Sequence, residues 1–330
     1  MIRVTSPTKM DDRQLNRLIK RVLLLLVLGT IAFVGFYALD RWRPATEPIV
    51  DRRLSAAEQA VCDKLEDIAS RGQLADTYVA KGRYEDAIVQ YNLILESDKA
   101  TEQATYGRAG AYMGLGQLDA AATDYQAVVD IAKGGEMAHV DSMLQASYYS
   151  LGSIAMQQGK PAEAIPFLEK ALAIKRSDAD ALYLAGTAYV ATSETDKAET
   201  VLRAAVAFVP IGWSEPYVAL AEGFTKAGKA AMAEWAGAMA DLAAGTPDLA
   251  EPRLLAIIGG DAAVDAAIGL GLLYETKGDS ATAAQWYARA LEKSPENAPA
   301  RLGLGRVGAG GAASPLPALP EPGAPAGGNE

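Results

Sequence analysis

Few residues of this chain have side chains that could carry out acid–base or nucleophilic chemistry. The 330 residues include one histidine, His139, and one cysteine, Cys62. A histidine–cysteine zinc site, an intramolecular disulfide and a dithiol redox centre each need more of these residues, so all three are excluded. A nucleophilic triad would depend on His139 alone, and the sequence offers no identifiable base partner for it. We therefore expect His139 to be an exposed loop residue.

The other candidates for chemistry have simpler structural explanations. Cys62 lies in a predicted helix, where a buried apolar role is favoured over a disulfide with another chain. Glu85 and Asp86 fall at the start of a predicted helix, where the helix dipole favours acidic side chains. No phosphate loop of the form GxxxxGK[ST] is present. The sequence thus predicts a protein that is not an enzyme, with no catalytic residue, cofactor or metal.

The charge balance excludes a further class of function. The chain has 31 lysine and arginine residues against 41 aspartate and glutamate residues, which gives a net charge of −10. Nucleic-acid-binding proteins need a basic face to pair with phosphates, so no nucleic-acid partner is expected. Half of the residues are apolar and 22% are charged, a composition typical of a globular protein.

One segment is apolar enough to cross a membrane. Residues 22–39 form a run of 18 residues without a charge, which as a helix would extend about 27 Å, close to the hydrocarbon thickness of a bilayer. Tyr37 and Trp42 would then lie at the headgroup level. A cleaved signal peptide is the alternative, but the region before the run contains Asp11 and Asp12, and no small-x-small cleavage site follows it. We therefore predict one transmembrane helix.

Basic residues are more numerous before this segment than after it. Residues 1–21 contain six, and the equal window 40–60 contains four. Because lysine and arginine are retained on the cytoplasmic side, the bias predicts a single-pass protein of the cell membrane, with a cytoplasmic tail at 1–21 and an extracytoplasmic domain. With six basic and two acidic side chains, the tail has a net charge of +4, which suits an anionic inner leaflet.

The rest of the chain repeats itself every 34 residues. Gly82 and Gly116 are 34 residues apart, and so are Tyr78 and Tyr112. A period of this length indicates a stack of similar supersecondary units, each of which buries its apolar face against its neighbours. Six units are present, at residues 68–101, 102–135, 145–178, 179–212, 214–247 and 264–297.

Each unit carries small and aromatic residues at fixed positions. Position 20 is alanine in all six units, position 8 is alanine or glycine, position 11 is aromatic in five and position 15 is glycine in five. Positions 4, 7, 8 and 11 share one face of a helix, as do positions 20, 24, 27 and 28. A glycine between the two sets suits the left-handed residue that ends a helix. Each unit is therefore predicted to be two antiparallel helices in close contact at positions 8 and 20.

This pattern resembles the tetratricopeptide repeat, a 34-residue unit with small residues at positions 8, 20 and 27 and an aromatic residue at position 11. The copy at 264–297 matches it most fully, with Gly271, Tyr274, Ala283 and Pro295. The resemblance implies an all-α α-solenoid of about six helix-turn-helix repeats. Together with the apolar segment, it indicates a membrane-anchored, bacterial-type tetratricopeptide repeat protein with one transmembrane helix before the solenoid.

Two residues depart from the repeat pattern. Arg108 replaces the usual leucine at position 7 of the second unit, and Gly237 replaces a large residue at position 24 of the fifth. Both changes remove apolar contacts, and we expect the fifth unit to be the loosest.

The segments around the repeats also have predicted roles. Ser55 and Glu58 form a capping-box signature that would begin a helix running to about residue 68 and covering the first repeat. Three insertions interrupt the repeats, and the apolar one at 248–263 is predicted to form a short extra helix. The predicted organisation is a linker at 40–54, a solenoid at 55–306 that ends in a capping helix at 298–306, and a disordered Gly/Ala/Pro-rich tail at 307–330.

The first helices of a stack of this kind line its concave groove, with positions 2, 5, 9 and 12 facing the ligand. Large amphipathic rings and adaptable thioethers at these positions favour a peptide-binding surface. Packing of the same side chains against a neighbouring repeat is the alternative. The predicted protein-binding residues are Tyr106, Met113, Tyr149, Met156 and Tyr183. Because these positions hold few basic residues in the first four units, acidic peptide tails are not expected to bind.

Two functions remain open at this point. The first is a membrane-anchored interaction scaffold that binds protein or peptide partners through its groove, and the resemblance suggests a role in assembly or quality control of envelope complexes. The second is an accessory or regulatory subunit that docks a catalytic partner at the membrane. Catalysis by the chain itself is the least favoured hypothesis.

Overall fold

The computed structural model describes residues 20–21, 23, 26, 30, 33, 49–64, 67–97, 101–208 and 211–308. Over these residues the secondary structure is helical, with fifteen α-helices between residues 49 and 308 and no β-strand. The predicted all-α class is thereby confirmed. The chain divides into two compact units, residues 1–81 and residues 82–330, which are described separately.

Two helices belong to the first unit and thirteen to the second. The first unit contains α1 (Ile49–Asp63) and α2 (Ile68–Ala80). The second unit contains α3 (Tyr84–Leu95), α4 (Thr101–Gly114), α5 (Leu118–Ala132), α6 (Ser142–Gln157), α7 (Pro161–Ile174), α8 (Ala179–Ala191), α9 (Thr195–Phe208), α10 (Glu215–Lys226), α11 (Ala230–Ala243), α12 (Pro247–Ile257), α13 (Ala263–Thr276), α14 (Ser280–Lys293) and α15 (Ala298–Val307). A short 3-10 turn, Ala138–Val140, lies between α5 and α6.

The predicted membrane span falls mostly on residues that the structure does not describe. Among the described residues, no helix has the length and apolar character needed to cross a bilayer. Most of the segment 22–39 lies outside them, as do residues 1–19 of the basic tail and residues 309–330 of the C-terminal tail.

In the first unit, the predicted linker and the predicted start of the first helix were wrong. Helix α1 begins at Ile49 rather than at Ser55, so the end of the segment 40–54 is helical and Ser55 lies exposed inside the helix. The reason is an apolar stripe of Leu54, Ala57 and Val61, all buried, which extends the helix upstream of the capping-box signature. The helix also stops earlier than predicted, at Asp63.

Helices α1 and α2 form an antiparallel pair. An ion pair joins Asp51, near the start of α1, to Lys81, just after the end of α2. A second contact joins a later part of α1 to an earlier part of α2, where the hydroxyl of Tyr78 donates to Glu58 Oε1 at 3.1 Å. Asp67 caps the start of α2 by accepting a hydrogen bond from the backbone N–H of Ser70 at 3.2 Å. The cap fixes the residue at which the second helix of the pair begins.

The second unit is a solenoid of consecutive helix pairs. From α3 to α15 each helix packs on the next one in sequence. In addition, α8 packs on α6 and α10, and α13 packs on α11 and α15. Five of the predicted repeats correspond to the pairs α4/α5, α6/α7, α8/α9, α10/α11 and α13/α14 within this unit, and the helices of the first predicted repeat, α2 and α3, are assigned to different units. Helix α12 occupies the predicted apolar insertion, and α15 follows the last pair.

The turns within the pairs confirm the prediction for position 15. All six residues at this position have a positive φ, and these are Gly82, Gly116, Gly159, Ser193, Gly228 and Gly278, with φ between 64° and 78°. Glycine has no Cβ to oppose this conformation, whereas Ser193 adopts it at a steric cost. The turn geometry is therefore set by the repeat and not by the residue type alone.

In the three pairs with glycine at position 8, the large residue at position 24 of the second helix lies against that glycine. A Cβ added to Gly152 would lie 2.6 Å from Leu168 Cγ, and one added to Gly271 would lie 2.6 Å from Tyr287 Cε1. Gly186 faces Leu202 in the same way. Position 8 is small because the large residue at position 24 of the second helix occupies the space that a side chain would need.

The fifth repeat replaces its missing large residue with an arginine from outside the repeat. The guanidinium of Arg253, on α12, lies against Gly237. Its Nε donates to Glu234 Oε1 at 2.6 Å and its Nη1 donates to Asp241 Oδ2 at 2.5 Å, so it is held from both sides of the glycine. The expected gap at position 24 is thus filled, because the inserted helix delivers a side chain that the repeat pattern does not include.

Candidate protein-binding face

The five predicted binding residues lie on the first helices of three consecutive repeats in the second unit. Each is half-buried, with part of its side chain packed on the core and part exposed. We call this set the tyrosine–methionine face, and it comprises Tyr106 and Met113 on α4, Tyr149 and Met156 on α6, and Tyr183 on α8.

The α4 part of the face packs on the core around α5 and α6. Tyr106 and Met113 contact a cluster that includes the buried residues Tyr125 and Leu144. The rings of Tyr106 and Tyr125 meet edge to face with their centroids 5.6 Å apart. Burial raises the pKa of the Tyr106 hydroxyl, so it stays protonated and can donate a hydrogen bond at neutral pH. Tyr106 therefore combines a packing role with an accessible polar edge.

The α6 and α8 parts of the face are joined by a polar contact between the helices. Gln145, near the start of α6, donates from Nε2 to Asp178 Oδ2 at 3.3 Å. Asp178 also caps α8 by accepting from the backbone N–H of Ala181 at 3.1 Å. This contact brings the first turns of α6 and α8 together. Tyr149, one helical turn after Gln145, consequently lies close to the start of α8.

An aromatic residue that was not predicted extends the face at Tyr183. The rings of Tyr183 and Trp213 meet edge to face at 5.5 Å between centroids. Trp213 lies in the loop before α10, at the single residue that interrupts the 34-residue period, so the repeat alignment gave no reason to assign it a role. A tryptophan at an interruption of a repeat is the signal that could have identified it.

Acidic residues at position 2 of later repeats were also missed. Asp180 on α8 and Glu215 on α10 are exposed and share a helix face with the residues at position 5. Burial is the main cause of the raised pKa values of Tyr149 and Tyr183, and the carboxylates of Asp180 and Glu215, respectively, add to it. Aligning position 2 across the six units would have shown that it becomes acidic from the fourth repeat onward.

The residues considered for chemistry are exposed and separate. His139 lies exposed in the 3-10 turn, as predicted. Cys62 is exposed on α1, which corrects the expectation of a buried apolar role: Val61, the neighbouring residue, is the one that faces the core. In the part of the chain that the structure describes, no group of three or more His, Cys, Asp or Glu side chains is placed to hold a metal ion.

Comparisons with known proteins agree with this architecture. Sequence profiles described as tetratricopeptide repeat match residues 73–136, 155–210 and 236–308, more than half of the chain. The search of curated protein sequences found no match.

Two solved structures with a TM-score of 0.50 share the fold. The C-terminal part of a repeat-containing protein from Cytophaga hutchinsonii is 19% identical, and the match covers 77% of this chain and 94% of that one. YrrB, described as a tetratricopeptide repeat protein with an unusual peptide-binding site, is 19% identical over 60% of this chain and 96% of its own. The helix pairs, the positive φ at position 15 of every repeat and the profile matches agree. The chain therefore belongs to the tetratricopeptide repeat family.

Proposed function

We propose that this protein is a non-catalytic scaffold that binds partner proteins through the tyrosine–methionine face. The proposal rests on the partial burial of the five side chains. Each packs on the hydrophobic core and is also partly exposed to solvent. Tyrosine contributes large contact area with little loss of conformational entropy, and methionine adapts to different surfaces.

We further propose that the solenoid is tethered to a membrane by residues 22–39, with the N-terminus cytoplasmic and the repeats extracytoplasmic. The length of the uncharged run and the excess of basic residues in 1–21 support this arrangement. The resemblance to tetratricopeptide repeat proteins suggests a role in the assembly or quality control of envelope complexes. The orientation can be tested with a reporter enzyme that is fused after residue 306 and is active only outside the cytoplasm. We expect this reporter to be active. Activity only of a cytoplasmic reporter at the same position would reverse the proposed orientation.

Site-specific photo-crosslinking in intact cells tests the binding function. A photoreactive amino acid placed at Tyr149 or Tyr183 is expected to capture the same partner protein from both positions. The control position is Val89, which is also apolar and is 52% exposed, but lies on α3, the second helix of its repeat. Capture from Val89 alone, or no captured protein from any of the three positions, would contradict the proposed function.

A further inference from the structure

The charge of the face changes along the solenoid. Around α4 and the start of α6 the exposed positions of the first helices are neutral, whereas α8 and α10 present Asp180 and Glu215. Both carboxylates are exposed, and both lie in the first turn of their helix. The part of the face around Tyr149 and Tyr183 therefore combines aromatic rings with negative charge. We call these four residues the acidic aromatic patch.

No cation among the described residues neutralises the two carboxylates of the patch. The lysine that precedes Asp180 already has another partner, because Lys175 pairs with Asp178 at 3.1 Å. Within the ranges that the structure describes, no lysine or arginine forms an ion pair with Asp180 or Glu215. This includes Arg176, which lies four residues before Asp180. Glu215 accepts only a long hydrogen bond, 3.5 Å, from the Ser214 hydroxyl.

Each carboxylate follows, by two residues, a residue that contacts a neighbouring part of the face. Asp178, two residues before Asp180, accepts a hydrogen bond from Gln145, which lies one helical turn before Tyr149 on α6. Trp213, two residues before Glu215, packs its ring edge to face on Tyr183 at 5.5 Å between centroids. Val218, one turn after Glu215 and 56% exposed, adds an apolar surface next to the carboxylate.

We propose that the acidic aromatic patch binds a segment of the partner protein that carries lysine or arginine side chains, an inference that rests on the proposed function. The cationic head of such a side chain would pair with Asp180 or Glu215. Its aliphatic part would lie on the ring of Tyr149 or Tyr183, where the negative ring face also attracts the cation. Two such contacts, one per repeat, select an extended basic segment.

The charge of the whole chain acts in the same direction. A net charge of −10 attracts a basic segment before contact and repels an acidic one. Because both carboxylates are exposed, the interaction is expected to weaken with added salt.

Selection from a random dodecapeptide library tests the charge preference without knowledge of the partner. The full-length protein, immobilised in detergent, is expected to retain peptides enriched in lysine and arginine and depleted in aspartate and glutamate. A retained basic peptide should bind the double variant Asp180→Asn, Glu215→Gln about tenfold more weakly, since two exposed ion pairs are lost. Both substitutions are isosteric and exposed, so the fold is expected to remain intact.

The matched control removes the same number of charges elsewhere. Asp261→Asn with Glu292→Gln changes two exposed carboxylates outside the first-helix faces and is expected to leave peptide affinity within about twofold of the parent. Retention of neutral or acidic peptides, retention of none, or an equal loss in the control variant would overturn the proposal. Crosslinking from Tyr149 and Tyr183 to a partner lacking basic residues at the contact would do so as well while leaving the scaffold function intact.

Discussion

At the scale of single residues, the departures from the repeat pattern are compensated by polar contacts. Arg108 replaces a leucine at position 7, yet it donates from Nε and Nη2 to both carboxylate oxygens of Asp124, at 2.7 and 2.8 Å. Its Nη1 also donates to Asn92 Oδ1 at 2.6 Å. The arginine therefore links α3, α4 and α5 through a fork geometry that lysine could not reproduce. The sequence predicted a weakened copy because pattern matching evaluates one position at a time.

Arg108→Leu, which restores the usual residue, is expected to destabilise the protein. Asp124 has only 8% of its side chain exposed, and it would be left as a buried charge without its partner, at a cost of about 3 kcal/mol. Urea unfolding followed by circular dichroism measures the change. The double variant Arg108→Leu, Asp124→Leu should recover most of the loss, because it removes the unpaired charge. A single variant as stable as the parent would show that the network contributes little.

At the scale of helices, tyrosine hydroxyls join the first helix of a repeat to the preceding helix through carboxylates. Tyr189 donates to Glu169 Oε1 and Tyr274 donates to Glu251 Oε1, both at 2.6 Å, from a first helix to the helix before it. Glu169 lies 20 residues before Tyr189, and where position 11 is Phe224, the residue 20 positions earlier is Ala204. Tyr112 differs from both, because the residue 20 positions before it is Asn92 and not a carboxylate. Position 11 was predicted as a packing residue, and the carboxylate partner lies outside its unit, so a search within units could not find it.

The C-terminal helix α15 is fastened to the last repeat by one carboxylate. Glu275, on α13, accepts hydrogen bonds from Arg306 Nε at 2.7 Å and from the Tyr287 hydroxyl at 2.8 Å. The Arg306 bond is the main reason why the pKa of Glu275 lies below its ordinary value of 4.5. A carboxylate with a lowered folded-state pKa contributes stability that is complete above its unfolded pKa and is lost as the pH falls through the folded value.

The difference in unfolding free energy between the parent and Glu275→Gln is therefore expected to depend on pH. Above about pH 5 the parent should be more stable, by about 1 kcal/mol given that Glu275 is a quarter exposed. Below pH 4 the difference should shrink towards zero as Glu275 becomes protonated. Urea titrations of both proteins across this range measure it, and other carboxylates cancel in the comparison. A difference that stays constant down to pH 3 would contradict the role assigned to the carboxylate.

At the scale of the whole molecule, the sequence predicted the repetition well and its interruptions poorly. The six turns and the helix pairs follow from residues that recur every 34 positions, because each repeat meets the same local constraints. Three features do not recur every 34 residues: Trp213, Arg253 and the early start of α1. All three lie outside the six repeat units, so the repeat pattern does not predict their contacts. The tyrosine–methionine face was predicted from positions 5 and 12, and its acidic residues could have been found in the same way at position 2.

Because each repeat contacts only its neighbours, local damage should remain local. In Gly186→Ala the new Cβ collides with the fully buried Leu202, and the collision should cost about 1–3 kcal/mol, more than the helix propensity of alanine returns. Hydrogen exchange should therefore accelerate most in α8 and α9, less in α7 and α10, and least in α13–α15. The control Gly305→Ala, where a Cβ meets no atom within 4 Å, should accelerate none of them. Equal acceleration throughout residues 82–308 would show that the solenoid unfolds as one cooperative body, in which case a partner bound to α6, α8 and α10 would stabilise every repeat rather than those it touches.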